Sequence, residues 1–299
     1  MRISRAERRV FGESSELATD PSLRPYLTDM VGAYGLALRD PVFEAAAGHS
    51  YGEMAEPLIE AMVDADTPVD LLVLAHGIHD VRLGRSTATY LSSRCPGNPL
   101  AFAVCDQGVA APFSALRAVH AYAVTGGCRR ALLLVAEQSA LHYEPAGPAR
   151  VPDRHAAVAF LLEPAAGAAP LDVRQRAVDP GRVREVLAAE LAELLPGGGP
   201  GATVILGSDL ADVADLANLA GLTGLPAIAA ADEVVVAPAG QPCTGVWWEL
   251  AARLPVGDEH GRQVVVAEYD PVLGYLCTTT SPGAGAVPGP APVGARGAA

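Results

Sequence analysis

The chain has 299 residues, half of them hydrophobic, with 21 basic against 34 acidic side chains and a formal net charge of −13. That length and apolar content suffice for a large core, in one big domain or two closely packed halves. The acidic balance argues against a nucleic-acid surface, which draws most of its affinity from clustered basic groups.

In chain order, the segment up to about residue 50 reads as irregular. "GEMAEPLIEAMVDA" then places Leu58, Ile59, Met62 and Val63 on one helical stripe, with Pro57 expected near the first turn. "DTPVDLLVLAHG" gives a buried strand over Val69–Ala75, Thr87–Ser93 a second helix, and Leu100–Cys105 a second strand. Gly108–Thr125 is apolar nearly all round and ends at Gly126-Gly127, the pattern of a helix buried between layers. The strands "RALLLVAEQ" and "AAVAFLL" follow, separated by a Pro-containing loop, and "EPAAGAAP" reads as a boundary. The second half repeats the alternation: helix "GRVREVLAAELAELL", the connector "PGGGPGA", strand "ATVILGS", helix "DLADVADLANLAG", strand "EVVVA", helix "PCTGVWWELAARL". "RQVVVAEYD" and "LGYLCTTT" close it as a hairpin, and the low-complexity segment 283–299 reads as a disordered tail. Alternating strands and helices predict parallel sheets covered on both faces, and the similar order in the two halves suggests a duplication.

Cys95, Cys105, Cys128, Cys243 and Cys277 form no C-x-x-C pair and fit neither a disulfide framework nor a zinc site, so a reducing cytoplasm is the expected location. No signal-peptide run follows the basic N-terminus, no stretch reaches the length of a membrane span, and neither metal nor cofactor is expected. Cys105 ends a strand before an Asp-Gln-Gly corner and a helix start, where free amides stabilise a thiolate in several enzyme classes. As a buried free cysteine it would instead act as a small hydrophobe. His76 and His79 follow a strand end, where open sheets bind ligands, and His79-Asp80 could imitate a base with its orienter. Ser139 lacks a nucleophile elbow. Of the Trp247-Trp248 pair, one ring suits the core and the other a pocket mouth or partner.

In their order, "PVDLLVLAHGIHD", "AFAVCDQGVAAPFSALRAVHAYAVTGG", "CRRALLLVAEQS", "AGQPCTGVWWELA" and "VVVAEYDPVLGYL" resemble the thiolase superfamily, specifically its β-ketoacyl-acyl carrier protein synthase III branch, from about Tyr51 to Thr280. The resemblance implies an α/β, thiolase-like five-layered α-β-α-β-α fold with two pseudo-repeated halves at 1–165 and 166–282, dimerisation, and acyl-thioester chemistry on acyl-CoA or acyl carrier protein. Such enzymes use a cysteine at the head of the buried helix, with a histidine and an asparagine from two C-terminal loops. The matching positions here are Val109 (Gly108 being the neighbouring alternative), Gly207 in Gly207-Ser208-Asp209, and Gln241 in Gly240-Gln241-Pro242-Cys243. A family Gly-Asp-Gly turn is replaced by Asp153-Arg154-His155, which leaves His155, with His76, His79 and Trp247, as candidate pocket-lining residues. A valine accepts no acyl group, and losing members of a unit that acts together removes most of its catalysis.

The resemblance is closest to the non-catalytic subunit of the heterodimeric quinolone-forming synthase, and it implies a structural subunit paired with an active ketosynthase III-like paralogue, or with itself, in specialised metabolism. Two alternatives stand beside it. One is an acyltransferase or thioesterase using Cys105 as nucleophile; the other is a module that binds an acyl group or carrier protein without turnover.

Overall fold

The computed structural model describes residues 1–12, 15–82, 84–147, 150–164, 171–195, 201–213, 225–254 and 263–281. The strands are β1 (Arg2–Phe11), β2 (Leu71–Ala75), β3 (Leu100–Val104), β4 (Ala131–Glu137), β5 (His155–Glu163), β6 (Asp172–Ala177), β7 (Ala202–Leu206), β8 (Glu233–Val236), β9 (Gln263–Asp270) and β10 (Tyr275–Ser281). The helices are α1 (Leu23–Gly32), α2 (Asp40–Glu44), α3 (Tyr51–Met62), α4 (Thr87–Arg94), α5 (Ala111–Val124), α6 (Val183–Leu194), α7 (Ser208–Val213), α8 (Pro226–Ala229) and α9 (Gly245–Arg253).

The continuously apolar runs become sheet centres because both of their faces are covered. The first sheet runs β1-β5-β4-β2-β3 and the second β6-β10-β9-β7-β8. In each, one antiparallel edge pair leads into an antiparallel join and then two parallel neighbours, so the two sheets are the same design used twice. Strand parity sorts the side chains. Leu71, Val73, Leu133, Val135, Val158 and Phe160 of the first sheet share one core with Ile205, Val264 and Val266 of the second, around Phe113 of α5 and Trp247 of α9. The alternate residues Leu72, Leu74, Leu132 and Leu134 pack outward against α3 and α4, while Val204, Val265 and Tyr269 pack outward against α6 and α8. The layers are therefore α3/α4, sheet, α5/α9, sheet, α6/α8: a mixed α/β fold of five layers.

Four sequence expectations need correction. The sheets are mixed rather than parallel, because β1-β5-β4 and β6-β10-β9 pair antiparallel. The segment before residue 50 is not irregular: β1 pairs antiparallel with β5 as an edge strand, with a register shift between Ile3 and Arg5, and α1 and α2 follow. None of the β1 side chains is fully buried, so no apolar alternation advertised it. Pro57 sits inside α3 rather than in its first turn. The helix tolerates it because a capping box secures the start, Ser50 Oγ accepting from Glu53 N (3.1 Å) and Glu53 Oε2 accepting from Ser50 N (2.8 Å), and because Tyr51, Met54, Leu58, Ile59 and Met62 are buried. The helix read as buried along its length is so only as far as Val119; Val124 is 69% exposed. The "EPAAGAAP" boundary from residue 165, most of "PGGGPGA", residues 214–221 of the "DLADVADLANLAG" helix and the tail 283–299 lie outside the described residues.

Candidate functional site

Parallel strands of covered sheets leave their C-terminal ends as the place where loops can build a site. Here a cavity of about 290 Å³ opens there, between the sheets. The loop after β2 supplies Gly77 and Ile78, the corner after β3 supplies Asp106, Gly108 and Val109, and β4 ends in Glu137. From the second half come Pro242 and Cys243 ahead of α9, and Asp270, Val272 and Leu273 at the turn between β9 and β10.

The corner is a tight one. Asp106 (φ 59°) and Gly108 (φ 50°) both lie in the left-handed region, which Asp tolerates better than most residues and Gly adopts freely. A Cβ on Gly108 would overlap the Asp270 carboxylate, so the close approach also requires glycine. Val109, at the head of the buried helix, is 3% exposed and offers only methyl groups to the cavity. Its amide is already committed: Val109 N donates to Asp270 Oδ2 at 3.2 Å, while Val272 N and Leu273 N each donate to Asp270 Oδ1 at 2.9 Å. Free amides at such a helix start would stabilise an oxyanion. In this chain a carboxylate of its own occupies the Val109 amide.

Glu137 is 2% exposed and accepts from Cys243 N (2.9 Å), Thr244 N (3.1 Å) and the Thr244 hydroxyl, capping α9. Burial outweighs these bonds and raises its carboxyl to about 7. Glu268, two residues before Asp270 on the same strand face and behind the cavity lining, is 5% exposed. Burial, then the nearby Asp209 carboxylate, raises it to about 8. Arg150 lines the cavity and forks onto Asp209, so the nearest positive charge is already paired.

Gly207 follows β7 beside Glu268, and a Cβ there would overlap that carboxyl, coming 2.5 Å from its Oε2. Gln241 is buried at the start of the α9 approach; its Oε1 accepts from Arg154 and its Nε2 donates to Thr244 Oγ1 at 3.0 Å. Both groups of its amide are thus spent on structure. Cys105 is outside the cavity lining; its thiol donates to Asp106 Oδ2 at 3.2 Å, and burial together with that carboxylate raises rather than lowers its pKa. Activation would require the opposite shift.

The four candidate pocket residues do not line this cavity. Trp247 is 1% exposed, wedged edge-on between Phe113 (4.8 Å) and Phe160 (6.0 Å) in the central core; Trp248 is the half-buried ring, with the Arg8 guanidinium 4.8 Å from its centroid. His76 packs on Tyr51 at 4.7 Å, its Nδ1 2.9 Å from Ile78 O, and burial lowers its pKa. His79 lines a separate cavity of about 20 Å³ under Leu27 and Met30. His155 lies against His49 at 5.0 Å; Ser139 N donates to its Nδ1 at 3.2 Å, so Nε2 carries the proton and faces Ser139 Oγ at 3.3 Å. It cannot serve as a base for Ser139 in that tautomer. Asp270, Glu268, Glu137 and Arg150, which shape the site, were not singled out by the sequence reading.

Among the described residues no group of His, Cys, Asp and Glu is arranged to hold a metal ion, and no helix is long and apolar enough to cross a membrane. No family model matches the sequence, and no curated protein sequence matches it either. Solved structures do. The chain is similar to AbyA1, a tetronic acid condensing enzyme (TM-score 0.62, 18% identity, covering 95% of this chain and 100% of that one). It is similar to the acyltransferase ChlB3 (0.58, 16%, 93% and 96%). It is also similar to 3-oxoacyl-(acyl carrier protein) synthase III of Pseudomonas aeruginosa PAO1 (0.55, 14%, 94% and 97%). At these identities the likeness is one of architecture, and it assigns the five layers and paired sheets of this chain to the thiolase-like fold of the ketosynthase III enzymes.

Proposed function

We propose that this chain is a ketosynthase III-like subunit without a condensing centre of its own, which pairs with an active paralogue in joining acyl thioesters. The observation that carries the reading is the occupation of the Val109 amide by Asp270. A condensing site needs a nucleophile at this corner and free donors for the oxyanion that develops in the transition state. Valine supplies no nucleophile, and the carboxylate takes the donor and adds a negative charge where the oxyanion would form. The overlap of Glu268 with any side chain at Gly207 and the internal bonding of Gln241 support the same reading at the other two family positions.

A place for the partner is also supported. Among the described residues β3 ends its sheet with one unpaired edge, beginning at Leu100, 55% exposed, and lying beside the exposed end of α5. Unpaired strand edges are ready templates for a second chain. Purification of this chain alone and together with a ketosynthase III-like paralogue tests the proposal. The pair is expected to convert acyl thioesters and the lone chain to be inert; acyl transfer by the lone chain that disappears in Cys105→Ala would overturn it.

One observation favours a second reading, an acyl-binding module without turnover: Ile78, Val109, Pro152, Val272 and Leu273 give the cavity an apolar wall while no reactive atom faces it from the corner. Native mass spectrometry of the lone chain with acyl thioesters separates the two, since retention without the paralogue is expected only of the module.

A further inference from the structure

The loop after β2 folds over the N-terminal helices and encloses a further cleft, of about 200 Å³, lined among others by Asp20, Ser22, Tyr26, Arg82 and Arg85. Positive charge is scarce in this chain, with 21 basic against 34 acidic residues, and arginines such as Arg24, Arg130, Arg174 and Arg253 are spent on carboxylates and Arg5 on carbonyls. Arg85 is different. Among the described residues it has no carboxylate partner; its guanidinium lies 3.5 Å above the Tyr90 ring. Stacking uses the face of the guanidinium and leaves its in-plane N–H fork available to an oxyanion.

The arrangement is also prebuilt. Tyr90 is held by Glu56 through its hydroxyl, and Gly52 on α3 leaves room for the pair, since a Cβ there would come 3.1 Å from Arg85 Nη2 and 3.2 Å from Tyr90 Cε1. Asp80 pins the loop by accepting from Tyr51 N and Arg82 N, each at 3.1 Å, and from the Thr87 hydroxyl. Arg82 reaches the cleft's one carboxylate, Asp20, only at 3.5 Å, and Asp20 is already engaged by Ser22 N (2.8 Å) and Ser22 Oγ (2.6 Å). Tyr26, 46% exposed, makes no hydrogen bond through its hydroxyl among the described residues.

The geometry points to a binding site for a tetrahedral oxyanion, by chemical class the phosphate of a small monoester, held by the Arg85 fork and Arg82 with Tyr26 as a neutral donor. Charge-assisted, forked contacts of this kind favour phosphate over a spherical anion. The site stands apart from the Val109 cavity and does not rest on the reading of that cavity given above.

Titration of the full chain with inorganic phosphate, and then with phenyl phosphate, by calorimetry and 31P line broadening tests it. Saturable binding at one site is expected, with chloride at matched ionic strength failing to compete. Arg82→Gln/Arg85→Gln, both on the surface, should keep the circular dichroism spectrum and melting temperature while weakening phosphate by about tenfold or more. Asp20→Asn, which removes the cleft's own carboxylate, should tighten it. Absence of saturation through the millimolar range, or equal binding by the double variant, would overturn the assignment.

Discussion

Gly207→Ala adds a single carbon at the position the family resemblance gives to histidine, and the outcome can be worked from the surrounding atoms. The new Cβ would overlap the Glu268 carboxyl, 2.5 Å from Oε2, so that 5% exposed carboxyl must shift to admit it. Overpacking of this kind costs about 1–3 kcal/mol, here taken as about 2 kcal/mol. For a chain of this size that corresponds to roughly 4 °C in melting temperature. Gly207 carries no positive φ, so in a Glu268→Ala background the methyl has room and the backbone gains rigidity. There Gly207→Ala should be neutral or stabilising by a few tenths of a kcal/mol, and the cycle should return a coupling of about 2 kcal/mol. Thermal unfolding of the four proteins at pH 7 measures it. A Gly207→Ala single variant melting with the wild type would refute the claim that Glu268 fills the space a side chain at 207 needs.

Other consequences follow from the same carboxyls. Asp270→Ala strips the acceptor from three amides and should cost about 3 kcal/mol at typical penalties for orphaned donors; acetate, by entering the amide nest, should restore part of the melting temperature saturably in this variant and not in the wild type. Glu268 ionises at about 8 in the folded chain against an ordinary carboxyl value near 4.5, so the folded state holds more protons and stability falls as pH rises across that window. Glu268→Gln should therefore melt higher than wild type at pH 9 and within about 1 °C of it at pH 5. His155 runs the other way: burial, then His49, lowers it from 6.5 to about 4, so the unfolded chain binds the extra proton and stability is lost as pH falls from 6.5 towards 4. His155→Asn, whose amide oxygen can still accept from Ser139 N, should flatten that acid limb in pH-dependent urea unfolding.

The fold was legible wherever burial wrote a pattern. "LLVLA", "ALLLVAE", "AAVAFLL" and "QVVVAEYD" sit at sheet centres and read as covered strands, and the repeated order of elements foreshadowed the duplicated sheets. β1 and β6 went unread because an edge strand buries little: Arg2, Arg5 and Arg9 are exposed on β1, and Arg174 and Arg176 of β6 carry their charge to Glu190. The site was legible in part. The corner "CDQGV" lies at the cavity as its Gly and following helix suggest, but the groups that define its chemistry sit at the ends of apolar strands, Glu137 closing "ALLLVAE" and Glu268 and Asp270 closing "VVVAEYD". A carboxylate within a strand otherwise buried on both faces is expensive unless bonded or neutralised, and two of them at i and i+2 face the same side. That was the available signal. Their contacts with Val109, Gly207 and Cys243 cross more than 60 residues of chain or join the two halves, which no local pattern encodes.

The account turns on whether anything in this chain can take up an acyl group. The most direct measurement is intact mass of the purified lone chain after incubation with acyl-CoA thioesters of short, medium and long chain. The account predicts an unchanged mass, with all five thiols still open to alkylation after unfolding. A mass gain of one acyl group, retained through denaturation and removed by Cys105→Ala or Cys243→Ala, would contradict it.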